Sequence, residues 1–96
     1  MMYSYFAIFE FEEIQIENVF SISIFLPDFN CATCADTDEE GIQMAEDLLK
    51  LCIEGKISDG EVLPEPRERK DYVNELKPNQ KLVEITVIYN GAVDDE

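Results

Sequence analysis

The sequence predicts an α+β fold, a two-layer sandwich in which one main helix covers one face of an antiparallel sheet. Residues 3–12, 19–26 and 81–89 alternate apolar and polar side chains with the two-residue period of strands. A long amphipathic helical pattern begins after residue 37. The length of 96 residues suffices for one core. We therefore expect a three-stranded meander, the helix and a returning fourth strand in a single domain, residues 1–96.

The first predicted strand covers residues 3–12. The apolar side chains on one of its faces are Ala7, Phe9 and Phe11. Phe6 and Ile8 interrupt the alternation, which indicates that this strand is covered on both faces near its start. A hairpin turn is expected at residues 12–18, although no Asn-Gly or Asp-Gly pair marks its corner.

The second predicted strand, residues 19–26, has the clearest alternation in the chain. Its apolar positions are Phe20, Ile22, Ile24 and Leu26. Ser21 and Ser23 lie between them, so we expect one face of the strand to contact water. Pro27 ends the strand because proline has no N–H to donate. A short third strand is predicted at residues 31–35.

At the start of the predicted helix, Thr37 and Glu40 have the spacing of a capping box. We expect each of these side chains to accept a hydrogen bond from the backbone N–H of the other. The apolar stripe of the helix consists of Ile42, Ala45, Leu48, Leu49, Cys52 and Ile53. Gly55 is predicted to end the helix in a left-handed conformation.

An irregular connection rich in turn-forming residues is predicted at residues 58–66. Residues 67–76 can form a short second helix, for which Tyr72, Val73 and Leu76 are the apolar anchors. The last strand is predicted at residues 81–89. Residues 91–96 are expected to be a frayed acidic tail.

The charge of the chain is strongly negative, with 22 acidic and seven basic residues and a net charge of −15. Such a charge repels nucleic acids and anionic membranes and accelerates encounter with a cationic partner. The aromatic residues of the first strands are not interleaved with lysine or arginine, so a base-stacking sheet is disfavoured. Solubility alone is the competing explanation for the acidity.

No secretory signal or membrane span is predicted, because Glu10 interrupts the first apolar stretch and no apolar run is long enough. The three cysteines are an odd number for a disulfide framework. We therefore expect a cytoplasmic protein with reduced thiols.

The residue types disfavour catalysis. The chain has no histidine, which excludes Ser-His and Cys-His nucleophilic pairs, and its four glycines form no phosphate-binding loop. Adjacent carboxylates are numerous, but no pattern predicts that they converge in a dry pocket, so a solvated acidic surface is favoured. We expect no catalytic residues, no metal and no cofactor.

Cys31 and Cys34 have the spacing of a redox or metal-binding pair. The carboxylates that follow would raise the pKa of such thiols, and residues three apart in a strand point to opposite faces. A zinc site requires four ligands, and only Cys52 remains to join the pair. Structural thiols are therefore favoured, with redox and metal roles as the less favoured alternatives.

Several segments in this order resemble a HicB-type antitoxin. They are Ala7-Ile8-Phe9-Glu10, Phe20-Ser21-Ile22-Ser23, Leu26-Pro27-Asp28-Phe29, Cys31, Thr33, Thr37-Asp38-Glu39-Glu40, Ala45, Leu48, Leu49 and the segment Gly60-Glu61-Val62-Leu63-Pro64-Glu65-Pro66. The resemblance spans roughly residues 3–89. The chain departs from the family pattern at Phe29-Asn30, which is one residue shorter, and at Gly41, where the family favours alanine.

The resemblance implies a partial RNase H-like fold without nuclease residues. It also implies a partner, a small basic toxin of the HicA type that cleaves mRNA, and neutralisation by occlusion of the toxin's RNA-binding surface. Many members of the family carry a C-terminal DNA-binding domain. We expect no such separate domain here, because the chain ends at Glu96, shortly after the last predicted strand.

The candidate partner-binding residues combine one apolar anchor with acidic side chains around the start of the helix. They are Phe25, Asp36, Asp38, Glu39, Glu40, Glu46 and Asp47. Phe25 is expected to be exposed on an edge strand, and the acids are expected to steer a basic partner. Two alternatives stand beside this binding protein. One is a structural or assembly protein, for example a homodimer, that self-associates through a free sheet edge. The other is an enzyme that uses Cys31 or Cys34.

Overall fold

The computed structural model describes residues 2–12 and 21–89, in which one sheet packs against one long helix. The elements in chain order are β1 (Met2–Phe11), β2 (Ile22–Leu26), β3 (Cys31–Ala35), α1 (Asp38–Ser58), α2 (Lys70–Val73) and β4 (Gln80–Ile88). This architecture confirms the predicted α+β class. The expected hairpin at 12–18, apart from its first residue, and the tail at 91–96 lie outside the described residues, as does the start of the second predicted strand.

The sheet has the strand order β3-β2-β1-β4, and every neighbouring pair is antiparallel. The first three strands therefore form the predicted meander. The returning strand β4 pairs with β1 from Met2 opposite Ile88 to Glu10 opposite Gln80. Strand β1 thus lies inside the sheet, and β3 and β4 form its two edges.

The core lies between the sheet and α1. Alternate residues of the strands face the helix, and several of them are almost fully buried, among them Phe9, Ile24 and Ile85. Leu49 and Ile53 contribute the helical side of this core. Ile42 was expected in the apolar stripe but is exposed, whereas Gly41 on the neighbouring position is buried.

The close contact between α1 and the sheet depends on Gly41. A Cβ atom at Gly41 would lie 2.9 Å from Cε2 of the Phe9 ring and 3.3 Å from Cδ1 of Ile24. The absence of a side chain therefore lets the first turn of α1 approach the sheet. The departure from the alanine of the HicB pattern has this packing consequence.

The N-terminus of α1 is capped much as predicted, with one difference. The backbone N–H of Glu40 donates to Oγ1 of Thr37 at 3.1 Å. Oε1 of Glu40 accepts from the backbone N–H of Asp36 at 3.0 Å, rather than from that of Thr37. The expected reciprocal bond was therefore wrong by one residue. The Glu40 side chain instead secures the junction between β3 and α1.

The C-terminus of α1 corrects the prediction for Gly55. The helix continues to Ser58, and the residue with a left-handed conformation is Gly60, at φ 74°. Ile57 packs against the core, which favours one further helical turn after Gly55. Gly60 donates its N–H to the carbonyl of Ile57 at 3.0 Å, so the chain reverses there.

The second helix is shorter than the predicted segment 67–76 and consists of one turn, Lys70–Val73. Tyr72 is its buried anchor, with 4% of its surface exposed, whereas Val73 is exposed. The Tyr72 ring lies 5.9 Å from the ring of Phe6, on the side of the sheet away from α1. This contact confirms the expected cover on both faces of β1 at Phe6, but not at Ile8, which has no such cover among the described residues.

Candidate partner-binding surfaces

The sheet face opposite α1 carries a partly exposed apolar surface. The register places Ile8 of β1 between Phe25 of β2 and Leu82 of β4. Phe25 is 38% exposed, and Ile88 further along β4 is exposed as well. We call Ile8, Phe25 and Leu82 the open-face patch; Ile88, opposite Met2, lies six residues away along β4, beyond Phe6. Side chains of this size on a water-facing sheet are typical of a contact surface.

A shallow depression of about 310 Å³ lies within this face. Its walls include Ile8 and Phe25, and Glu10 and Gln80 contribute polar groups at one side. Nε2 of Gln80 donates to Oε1 of Glu10 at 2.9 Å, which fixes the orientation of that carboxylate. The depression therefore has an apolar floor and an acidic margin.

The position of Phe25 corrects one expectation. Phe25 is exposed, but β2 lies between β1 and β3, so Phe25 is on an interior strand and not on an edge. The reason is that β3 pairs with β2 along the full length of both strands, from Ile22 opposite Ala35 to Leu26 opposite Cys31.

The predicted acids lie around the first half of α1. Asp36, Asp38, Glu39, Glu40 and Asp47 are exposed and Glu46 is half-buried. Asp38 pairs with Lys81 at 3.5 Å, and Glu40 is used in the helix cap. Within residues 2–12 and 21–89 no lysine or arginine lies within ion-pair distance of Glu39, Glu46 or Asp47. These three carboxylates define the acidic helix surface.

The structure does not join these two sets of residues in one surface. Phe25 points away from α1, whereas Glu39, Glu46 and Asp47 belong to the helix layer on the other side of the sheet. Asp36 lies between them, at the end of β3, where its carbonyl accepts from the Ser21 hydroxyl at 2.9 Å. A partner would have to extend around this edge to touch both.

Sequence reasoning missed a polar network around Asp28. Oδ1 of Asp28 accepts from Nε of Arg67 at 3.0 Å and from the Tyr72 hydroxyl at 3.1 Å. The Asp28 side chain is only 4% exposed, and the Arg67 guanidinium lies 4.8 Å from the centre of the Tyr72 ring. Burial raises the pKa of Tyr72, and the neighbouring Asp28 charge raises it further. The network attaches the segment after α1 to the β2–β3 turn.

The positions of the cysteines confirm the expectation that Cys31 and Cys34 point to opposite faces of a strand. Cys31 lies opposite Leu26 and Cys34 lies opposite Ser23, so the two cysteines are on opposite faces of β3. Instead, Sγ of Cys52 on α1 lies 2.9 Å from Sγ of Cys31. In the part of the chain that the structure describes, no three His, Cys, Asp or Glu side chains cluster as metal ligands would.

None of the described helices combines the length and apolar character needed to cross a bilayer. The longest helix, α1, has 21 residues, but its outer side is charged.

Comparison with known proteins gives one structural likeness. No family model matches the chain, and no curated protein matches its sequence. A chain of the "Toxin-Antitoxin complex from Streptococcus pneumoniae" superposes with a TM-score of 0.72 and 17% sequence identity. The match covers 92% of this chain and 70% of that chain. The two proteins therefore share a fold, which in this chain is a four-stranded sheet with one main helix.

Proposed function

We propose that this protein is an antitoxin-like binding protein of the HicB type that neutralises a small basic, mRNA-cleaving toxin. The observation that carries the proposal is the fold shared with a chain of a toxin–antitoxin complex. The net charge of −15 supports a basic partner. In this proposal the fold is a partial RNase H-like domain without catalysis, and the protein acts in the cytoplasm, where mRNA is the toxin's substrate.

The acidic helix surface would accelerate association. Glu39 and Asp47 are exposed, and both carboxylates can attract a cationic surface across solvent. Such exposed charges mainly raise the association rate and contribute little to the final affinity. Asp38 and Glu40 have a smaller part in this proposal, because the first pairs with Lys81 and the second caps the helix.

The open-face patch would supply the contact area. Phe25 and Ile8 lie side by side on neighbouring strands and can be desolvated without any change in the backbone. Aromatic anchors of this kind contribute most of the binding energy in protein interfaces. A basic toxin seated here would have its RNA-binding surface covered by protein, which is the proposed mode of inhibition.

The test uses a purified small basic toxin of the HicA type. We expect the full-length acidic protein to bind it and to stop its cleavage of RNA in a purified assay. Raising the salt from about 50 to about 500 mM should slow association by roughly tenfold, because the Debye length shortens about threefold. Unchanged RNA cleavage at saturating acidic protein would contradict the proposal.

A pair of matched variants tests the acidic helix surface. Glu39→Gln with Asp47→Asn removes two charges from α1, and Glu65→Gln with Glu75→Gln removes two exposed charges elsewhere. The first pair should slow association several-fold more than the second, whereas the dissociation rates should be similar. Equal effects of both pairs would show that only the total charge matters.

One observation favours self-association as a second candidate function. Strand β3 is an edge of the sheet, and none of its residues, Cys31 to Ala35, is charged. Charged side chains are the usual protection of an edge strand. If the chain dimerises through β3, sedimentation will show concentration-dependent dimers, and Ala32→Lys will return them to monomers. A monomer at all concentrations would exclude this function.

A further inference from the structure

Two cysteines from distant parts of the chain meet beside an open pocket. Cys31 is on β3 and Cys52 is on α1, and their Sγ atoms are 2.9 Å apart although 21 positions separate them in the sequence. Both thiols are half-buried. The third cysteine, Cys34, lies on the other face of β3.

The pocket gives solvent a route to both sulfur atoms. It has a volume of about 390 Å³, and its lining includes Cys31, Cys52, Phe29, Leu51 and Lys56. A small oxidant can therefore reach the thiols without unfolding of the core. The Lys56 ammonium at the pocket is paired with Glu61 at 3.2 Å.

We propose that Cys31 and Cys52 form an oxidation site that a peroxide converts to an intramolecular disulfide between β3 and α1. This site is independent of the proposed toxin binding. It also differs from the Cys31–Cys34 pair that the spacing indicates, because only Cys52 has its sulfur within reach of Cys31.

The two thiols have different parts in this reaction. The Cys52 thiol donates a hydrogen bond to the Cys31 sulfur. Burial and this hydrogen bond raise the pKa of Cys52 to about 12, so at neutral pH its thiol stays protonated. We therefore assign the first attack on the peroxide to Cys31, and Cys52 then acts as the resolving thiol.

The steps balance with hydrogen peroxide as the oxidant. The Cys31 thiolate attacks one oxygen, the O–O bond breaks, and the products are Cys31 sulfenic acid and hydroxide, which takes up the proton that the thiol had released and becomes one water. The Cys52 sulfur then attacks the Cys31 sulfur, loses its proton and displaces the hydroxyl as a second water. Two thiols lose two electrons in total, and the peroxide gains them.

The experiment treats the purified full-length chain with hydrogen peroxide and then alkylates the remaining thiols. The reduced protein should take up three alkyl groups, one for each free cysteine, and the oxidised protein only one. Peptide mapping should join the Cys31 and Cys52 peptides and find Cys34 alkylated. The disulfide should also raise the Tm by on the order of 10 °C, because it closes a loop of the unfolded chain.

Three variants make the result specific. Cys34→Ser should form the same disulfide at the same rate, whereas Cys31→Ser and Cys52→Ser should not form it. Circular dichroism of the reduced variants checks that each one is folded. A Cys31–Cys34 disulfide, an intermolecular disulfide, or three alkylated thiols in the folded, treated protein would each overturn the proposal.

Discussion

The two faces of the sheet are formed by the same strands but differ in their burial. On the face toward α1, every second residue of β2 is apolar and almost fully buried, namely Ile22, Ile24 and Leu26. On the opposite face, polar pairs such as Ser4 with Thr86, whose hydroxyls are 2.7 Å apart, alternate with partly exposed Ile8 and Phe25. A strand with a period of two can therefore build a core and present a surface at once.

The open face is covered over Phe6, in the middle of β1, and uncovered toward the end that carries Ile8 and Phe25. Tyr72 and Arg69 lie over Phe6, with the Arg69 guanidinium 5.2 Å from the centre of the ring. Ile8 and Phe25, further along, have no comparable cover among the described residues. The difference separates the apolar residues of this face that the protein's own fold covers from those that it leaves partly exposed.

The largest expected effect tests the covered face. Leu49→Ala should lower the free energy of unfolding by about 3 kcal/mol, because it removes a fully buried side chain and leaves a cavity. Leu51→Ala on the same helix is the matched control, since Leu51 is 65% exposed and its loss should change stability by less than about 0.5 kcal/mol. Urea denaturation measures both. Equal losses would mean that α1 is not packed as described.

The next effect tests the covered part of the open face, around Phe6 and Tyr72. Asp28→Ala should lower the free energy of unfolding by about 2 kcal/mol, because the buried Tyr72 hydroxyl and the Arg67 guanidinium lose their acceptor. Asp59→Ala, an exposed position, is the control and should be nearly neutral. Proteolysis after Arg67 should become faster in Asp28→Ala, since the segment after α1 loses its attachment.

The same network predicts a loss of stability in alkali. The pKa of Tyr72 is raised above its ordinary value of 10.0, chiefly by burial, so the folded state favours the neutral phenol. Stability is therefore fully present below pH 10 and falls as the pH rises from there through the folded pKa. Urea titrations between pH 8 and pH 11 should show this fall, and Tyr72→Phe should make it shallower.

Two glycines of α1 test how closely the covered face is packed. Gly41→Ala should lower the free energy of unfolding by about 1 kcal/mol, because the new Cβ would press on the buried Phe9 ring and this outweighs the gain in helix propensity. Gly55→Ala should raise it by about 1 kcal/mol, because nothing lies within 4 Å of the new Cβ. Opposite signs in thermal unfolding would support the described approach of α1 to the sheet.

The smallest effect on folding tests the uncovered end of the open face. Phe25→Ser should change the free energy of unfolding by less than about 1 kcal/mol, because the ring is already 38% exposed. If the open-face patch binds the proposed toxin, the affinity should fall at least tenfold, which corresponds to about 1.4 kcal/mol. Wild-type affinity measured by calorimetry would show that the partner binds elsewhere.

The parts of the fold that were predictable from the sequence are those set by local patterns. The bounds of β3 and the cap at Thr37 agree with the prediction, since strand alternation and capping depend on residues close in sequence. The predicted end of α1 was wrong. Gly55 matches the usual signal for a helix end, but the contact of Ile57 with the core favours a helix that continues to Ser58. Tertiary packing decided that boundary.

The long-range features of the candidate sites could not be predicted. Asp28 is 39 positions from Arg67 and 44 from Tyr72, and no periodic pattern connects such distant residues. Cys52 appeared as a member of the apolar stripe and as a third cysteine for a zinc site, but its contact with Cys31 alone depended on how the helix packs on the sheet. The predicted exposure of Phe25 was correct. The prediction that its strand lies at an edge was wrong, because the sequence does not reveal the order in which the strands pair.

The pairing of Met2 with Ile88 has a consequence for how the protein is made. Strand β1 is synthesised well before β4, because the residues that pair in the two strands are separated by 70 positions (Glu10 and Gln80) to 86 positions (Met2 and Ile88). Until then β1 has an open side that any extended polypeptide can occupy, and closure over so long a loop is slow. Protection from proteases in the cell should therefore come only once β4 has been translated and has inserted beside β1.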